Sequence, residues 1–324
     1  DFYFGASITY QILDGLKKVY TFAETLYRNV SGNVGIAYKV SEKLTFGFNY
    51  QLKDTQERIT SNDVNNTDVQ TYLYRGETYK IELRGSSQDY KIKKNGDTFS
   101  FQTQYIPIEN LTIGFVAKYS NYNSFSLFPL SSLNDVEDGY SNFDNVNVLL
   151  QTRWIKSKNL VLAFTAGLNN NDSWTKNSKL ELTLWKLSTK KLFAGFGSTI
   201  NINDDMLVAA EYEIHNVSAD SSKYIDNKFT KLDALNHIAR FGFESRMNAM
   251  FSLRFGYNFI FKKHDFVYGG ENVSTHYLTA GVKINLSKTV EIEPRFEYLT
   301  TNLKDNELYK NDYGVYATLR FFEF

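Results

Sequence analysis

Cysteine is absent from this 324-residue chain, and proline (3), tryptophan (3), methionine (3) and histidine (4) are scarce. Without cysteine there is no disulfide framework, no thiolate metal site and no cysteine nucleophile. The four histidines form no spaced cluster of the kind a metal requires, so no metal is expected, and no cofactor. Long apolar runs are missing too: no stretch approaches the ~20 consecutive apolar residues of a transmembrane helix. Charge of one sign is not in excess. The 36 Lys and Arg balance 36 Asp and Glu to a net charge of +0, which excludes the basic surplus of a nucleic-acid-binding chain.

Aromatic residues are abundant. Phe (26), Tyr (23) and Trp (3) make 16% of the chain, and such residues favour strands and collect at membrane interfaces. They recur at alternate positions. The first strand reads Phe2, Phe4, Ala6, Ile8, Tyr10 and Ile12 on one face and Tyr3, Gly5, Ser7, Thr9 and Gln11 on the other. Later apolar faces include Leu44–Phe46–Phe48–Tyr50, Leu111–Ile113–Phe115–Ala117–Tyr119, Leu160–Leu162–Phe164–Ala166–Leu168, Met206–Val208–Ala210–Tyr212–Ile214, Phe251–Leu253–Phe255–Tyr257–Phe259–Phe261 and Leu278–Ala280–Val282–Ile284–Leu286. Alternating segments of ~10 residues repeated through a whole chain are what a lipid-facing barrel wall requires. A closed barrel also satisfies every spanning backbone amide without a helix. A hydropathy scan misses such a chain because the opposite face is polar.

This reading gives 14 strands in one domain over residues 1–324, an all-β, antiparallel, up-and-down transmembrane barrel. Six tight turns support the count: Ser41-Glu42-Lys43, Glu109-Asn110, Ser157-Lys158-Asn159, Asn203-Asp204-Asp205, Asn248-Ala249 and Lys288-Thr289. Seven long connections alternate with them, near 13–32, 54–97, 121–144, 170–190, 216–236, 262–274 and 301–311. Such sorting matches short periplasmic turns and long extracellular loops, with both termini on the turn side. Two stretches resist. Charges at Glu77, Lys80, Glu82 and Arg84 break the apolar band of 69–84, so residues 54–97 are read as carrying an extracellular hairpin extension; two further spans would make 16 strands. Residues 13–28 show some helical spacing and read as a short helix or plug, or as extensions of strands one and two.

The last strand ends Tyr316-Ala317-Thr318-Leu319-Arg320-Phe321-Phe322-Glu323-Phe324. This terminal aromatic on an alternating strand resembles the C-terminal signature of Gram-negative outer-membrane proteins, and the strand count is similar to the 14-stranded porins of the OmpG type. Arg320 interrupts the alternate apolar set, and the register shifts at Phe321-Phe322. The resemblance is one of pattern and transfers no functional residue. It implies an outer-membrane location as a mature form after signal-peptide removal, with outer-membrane lipid and lipopolysaccharide and the barrel-assembly machinery as partners. Small hydrophilic solutes would pass through; monomer and homo-oligomer both stay open.

With the apolar face toward lipid, the other face lines the interior. Strands one to eight bring mostly small or neutral groups, such as Gly35, Gly47, Asn49, Gly114, Gly167, Gly195 and Gly197. Strands nine to fourteen bring Glu211, Glu213, Arg240, Glu244, Arg246, Arg254, Lys283, Glu291, Glu293, Arg295, Glu297 and Arg320. Opposed charges on a channel wall set ion preference; the plainer account is that they pair to rigidify the interior. The expected function is an outer-membrane channel for passive diffusion of ions and small hydrophilic solutes. The alternative is a loop-closed surface-binding, adhesin-like or secretion-associated barrel. Catalysis is not expected. His215-Asn216 with Ser218, His237 and His264-Asp265 are the candidates, but His215 and Ser218 stand three apart, on opposite faces of a strand.

Overall fold

The computed structural model describes residues 1–17, 21–63, 70–75, 79–84, 88–129, 135–177, 181–224, 227–264, 271–287, 289–302 and 311–321. The strands are β1 (Phe2–Lys17), β2 (Thr21–Ser41), β3 (Leu44–Asp63), β4 (Gln70–Arg75), β5 (Tyr79–Arg84), β6 (Gln88–Ile108), β7 (Leu111–Pro129) and β8 (Asp135–Ser157). They continue as β9 (Leu160–Asn177), β10 (Thr183–Asn203), β11 (Met206–Lys223), β12 (Lys228–Arg246), β13 (Phe251–His264), β14 (Glu271–Asn285), β15 (Val290–Thr301) and β16 (Asn311–Phe321). Fourteen of them form one antiparallel sheet in the order β1-β2-β3-β6-β7-β8-β9-β10-β11-β12-β13-β14-β15-β16, while β4 and β5 pair only with each other. The sheet therefore has 14 strands, not 16, and residues 70–84 hold a separate hairpin. Among the described residues no pairing joins β1 to β16, so the sheet is open along that seam.

Burial runs inside out. On the apolar face Phe4 is 79% and Phe48 58% exposed, whereas Glu291 and His215 on the opposite face are 3% and 6% exposed. In water this arrangement would leave a continuous apolar surface uncovered. It suits a wall whose outside faces lipid and whose inside is polar. The tight turns fall where the sequence places them, between β2 and β3, β6 and β7, β8 and β9, β10 and β11, β12 and β13, and β14 and β15; Lys288 of the last turn lies outside the described residues.

The long connections are the main correction. Residues 121–144, 170–190 and 216–236 are largely strand: β7 and β8 pair out to Pro129↔Asp135, β9 and β10 to Lys176↔Thr183, and β11 and β12 to Lys223↔Lys228. Within 13–28 the described residues are strand, extending strands one and two, with β1 paired to β2 as far as Lys17↔Ala23 and no helix among the described residues. The terminal Phe322–Phe324 signature lies outside the described residues. The strands run to 23 residues in β8, which at about 3.3 Å per residue is far longer than an apolar band of ~25 Å needs, even tilted by ~40°. Beyond the band the outer face turns polar and bonds to itself. Tyr119 and Asn121 donate to Asp144 at 2.8 and 2.7 Å, and Tyr140 and Asn142 donate to Asn123 at 2.6 and 2.9 Å.

Close ladder packing needs glycine at one inner position in particular. A Cβ on Gly167 would lie 2.5 Å from Phe193 Cζ and 2.6 Å from the Val148 carbonyl oxygen, and the backbone oxygen cannot rotate away. Gly167→Leu is expected to lower stability by about 1–3 kcal/mol through overpacking. A urea titration of the refolded protein in phospholipid vesicles reads this as a lower midpoint.

Candidate pore wall

Period-2 alternation puts odd residues of β11, even residues of β12, β13 and β16, and odd residues of β14 and β15 on the inner face. Strand register then assembles a charged belt. Arg240 stands opposite Glu211 and bonds it at 3.0 Å and Glu213 at 2.6 Å. Arg254 bonds Glu244 on β12 at 3.1 Å and Glu293 on β15 at 3.0 Å. That second bond skips β14, and it can do so because the residue opposite Arg254 is Gly281, which has no side chain in the way. Arg320 bonds both Glu291 and Glu293. Lys283 bonds Glu291 at 2.7 Å, and Arg295 bonds Glu297 at 2.6 Å.

Eleven of the twelve residues named from sequence are thus joined in ion pairs across six adjacent strands. Arg246 is the exception. It is exposed, and its side chain makes no ion pair among the described residues. The belt holds six carboxylates and five bases, a formal excess of one negative charge. Glu291 is almost fully buried yet doubly paired, the condition under which an inward charge is tolerated.

The wall includes a member that the sequence assigned only to a discarded catalytic reading. His215 is buried, its Nε2 sits 2.7 Å from Glu213 Oε2, and its ring meets Phe193 edge-on at 5.5 Å. The spacing Glu213-x-His215 on one strand face was the available signal. His237 lies on the outer face, 2.6 Å from the Tyr212 hydroxyl and against Phe261. His276 makes the matching pair with Tyr257 at 2.8 Å. Both Tyr–His pairs lie on the outer face. His264 approaches Glu271 at 3.6 Å, and Asp265 lies outside the described residues. Among the described residues no three His, Cys, Asp or Glu side chains are grouped to hold a metal.

The other half of the inner wall is mostly small or neutral, with glycines at 35, 47, 114, 167, 195 and 197, amides such as Asn49, Gln104 and Gln151, and scattered bases at Lys39, Lys53, Lys118 and Arg153. This asymmetry matches the sequence reading.

No known family's sequence profile matches the chain, and no curated protein matches it by sequence. Solved structures do resemble it. The ferric citrate transporter FecA aligns with a TM-score of 0.65 at 8% identity, over 98% of this chain and 53% of that one. The copper transporter OprC gives 0.61 at 9% identity, over 98% and 56%. BauA, the ferric preacinetobactin receptor of Acinetobacter baumannii, gives 0.58 at 10%, over 98% and 58%. This chain spans little more than half the length of each. At such identities the likeness speaks to fold alone, and it agrees with the inside-out burial: the chain has the fold of an outer-membrane β-barrel.

Proposed function

We propose that the protein is a passive channel for ions and small hydrophilic solutes across an outer membrane, and that it carries no catalytic activity. The observation behind this reading is the inner face itself, a charged belt of nearly balanced sign beside a half paved mostly with small or neutral residues. A closed wall of 14 strands is wider than the side-chain-filled interior of an eight-stranded barrel, and a mixed-charge lining holds water and ions. In this reading the tight turns face the periplasm and the extended hairpins project outward among lipopolysaccharide. The barrel-assembly machinery inserts the chain.

Single-channel recording of the purified protein in planar bilayers tests it. Stable, ohmic conductance steps are the expected result; no conductance, also after deletion of the hairpin, would overturn the proposal. A second reading, a barrel closed by its loops for surface binding, gains support from that hairpin. β4 contacts β8 across the two intervening strands β6 and β7. Deleting residues 64–87 is therefore expected to reduce the frequency of spontaneous closures, measured in the same recordings.

A further inference from the structure

Where the mostly neutral part of the inner wall meets the charged belt, a cavity of about 760 Å³ lies between β6 and β11, walled by Gln104, Gln151, Arg153, Thr165, Phe193 and Glu213. Its layout follows from register. One cross-strand row runs Arg153↔Ala163↔Gly197↔Glu211, and the next runs Gln151↔Thr165↔Gly195↔Glu213. The floor on β9 and β10 is thus Ala163, Gly197, Thr165 and Gly195, with Glu213 leaning over Gly195, where a Cβ would come within 2.7 Å of the Glu213 Cγ. Arg153 rises at one side, exposed and without an ion pair or hydrogen bond among the described residues. The glutamates at the other side are already engaged: Arg240 bonds both, and His215 bonds Glu213. Three strand spacings of about 4.8 Å separate Arg153 from Glu211, too far for a direct pair.

We propose that this cavity is a docking site for small hydroxylated monocarboxylates, the sugar-acid class. The proposal rests on the channel reading of the same wall. The guanidinium of Arg153 offers a planar fork that matches one carboxylate with two parallel hydrogen bonds. The amides of Gln104 and Gln151 and the hydroxyl of Thr165 both donate and accept, which suits a chain of hydroxyls. Phe193 gives the carbon side of the solute an apolar surface. Glu211 and Glu213 accept from hydroxyls at the far end, where the base between them, Arg240, is already engaged by both. The site therefore favours a monoanion with a neutral polyol tail over a dicarboxylate.

The test is calorimetric titration of the full-length protein refolded in detergent, with gluconate, glucose, propionate and glucarate as probes. Gluconate is expected to bind saturably, at least tenfold more tightly than any of the other three. Arg153→Gln is expected to weaken gluconate at least tenfold, Arg153→Lys to give an intermediate value because charge remains and the fork is lost, and Gln151→Leu to weaken gluconate and glucose alike. Circular dichroism and heat-modifiable migration confirm that each variant is folded. Absence of saturable gluconate binding, equal affinity for glucose, or full affinity in folded Arg153→Gln overturns the site. Because binding is read without conductance, the two proposals fail separately. Conductance without gluconate binding removes the site and leaves the channel, and binding without conductance does the reverse.

Discussion

Phe255→Arg is expected to block insertion, while Arg254→Leu, one residue away, inserts normally. Phe255 lies mid-strand in β13 on the apolar face, opposite Phe243 on β12 and Ala280 on β14, and is 44% exposed in the absence of lipid. An arginine near the bilayer midplane of a barrel costs about 2–4 kcal/mol, and at the interfaces almost nothing. Arg254 points the other way, into the charged belt. Replacing it releases Glu244, which is partly exposed, while Glu293 keeps its bond to Arg320. The belt tolerates that loss because Glu293, the more buried of the two partners, has a second base, and Glu244, left without one, reaches water. Refolding into phospholipid vesicles, followed by heat-modifiable migration and urea titration, distinguishes the two variants. A silent Phe255→Arg together with a misfolded Arg254→Leu would mean that the faces are assigned in reverse.

Neutralising Arg240, Arg254 and Arg320 together to Gln is expected to shift the reversal potential strongly toward cations. The five bases of the belt fall to two against six carboxylates, so the belt passes from near balance to a formal charge of −4. Such a ring of carboxylates raises cation concentration locally. The permeability ratio for cations over anions should rise several-fold under a salt gradient centred near 0.1 M. The effect should fade at 1 M, where the screening length drops from ~10 Å to ~3 Å. An unchanged reversal potential at the lower salt, with a lowered melting temperature, would show that the pairs hold the wall together and do not select ions.

The parts of the fold that alternate were legible in the sequence, and the parts that do not were hidden. Phe251 to Phe261 on one face of β13, bounded by Asn248-Ala249, has no other economical reading, and the same is true of each tight turn. Past the lipid band this signal ends. On β9 the outer face changes from Leu168 to Asn170 and Asp172 while the inner face already carries Asn169 and Asn171, so polar residues on both sides look like a loop. The structure shows that they pair, with Asn145 and Asn171 in direct hydrogen bond and Asn171 donating to Thr189 at 3.2 Å. Ladder hydrogen bonds ask nothing of hydropathy, so strands standing in water leave little trace. For the charged belt, parity fixed the face and register fixed the neighbours. The partners were not legible, because the bond from Arg254 to Glu293 depends on Gly281 leaving a gap in the strand between them. His215 was weighed only for catalysis, with Ser218 three residues on, when its neighbours Glu213 and Phe193 account for its position.

The assignment of one face to lipid and the other to a watery interior is tested most directly by single cysteines placed in turn from Ser252 to Asn258, in a chain that has no cysteine of its own. In proteoliposomes, positions 252, 254, 256 and 258 should react with a membrane-impermeant thiol reagent, while labels at 253, 255 and 257 should be quenched by a lipid-borne quencher. Uniform labelling of all seven positions, or the alternation reversed, would contradict the account.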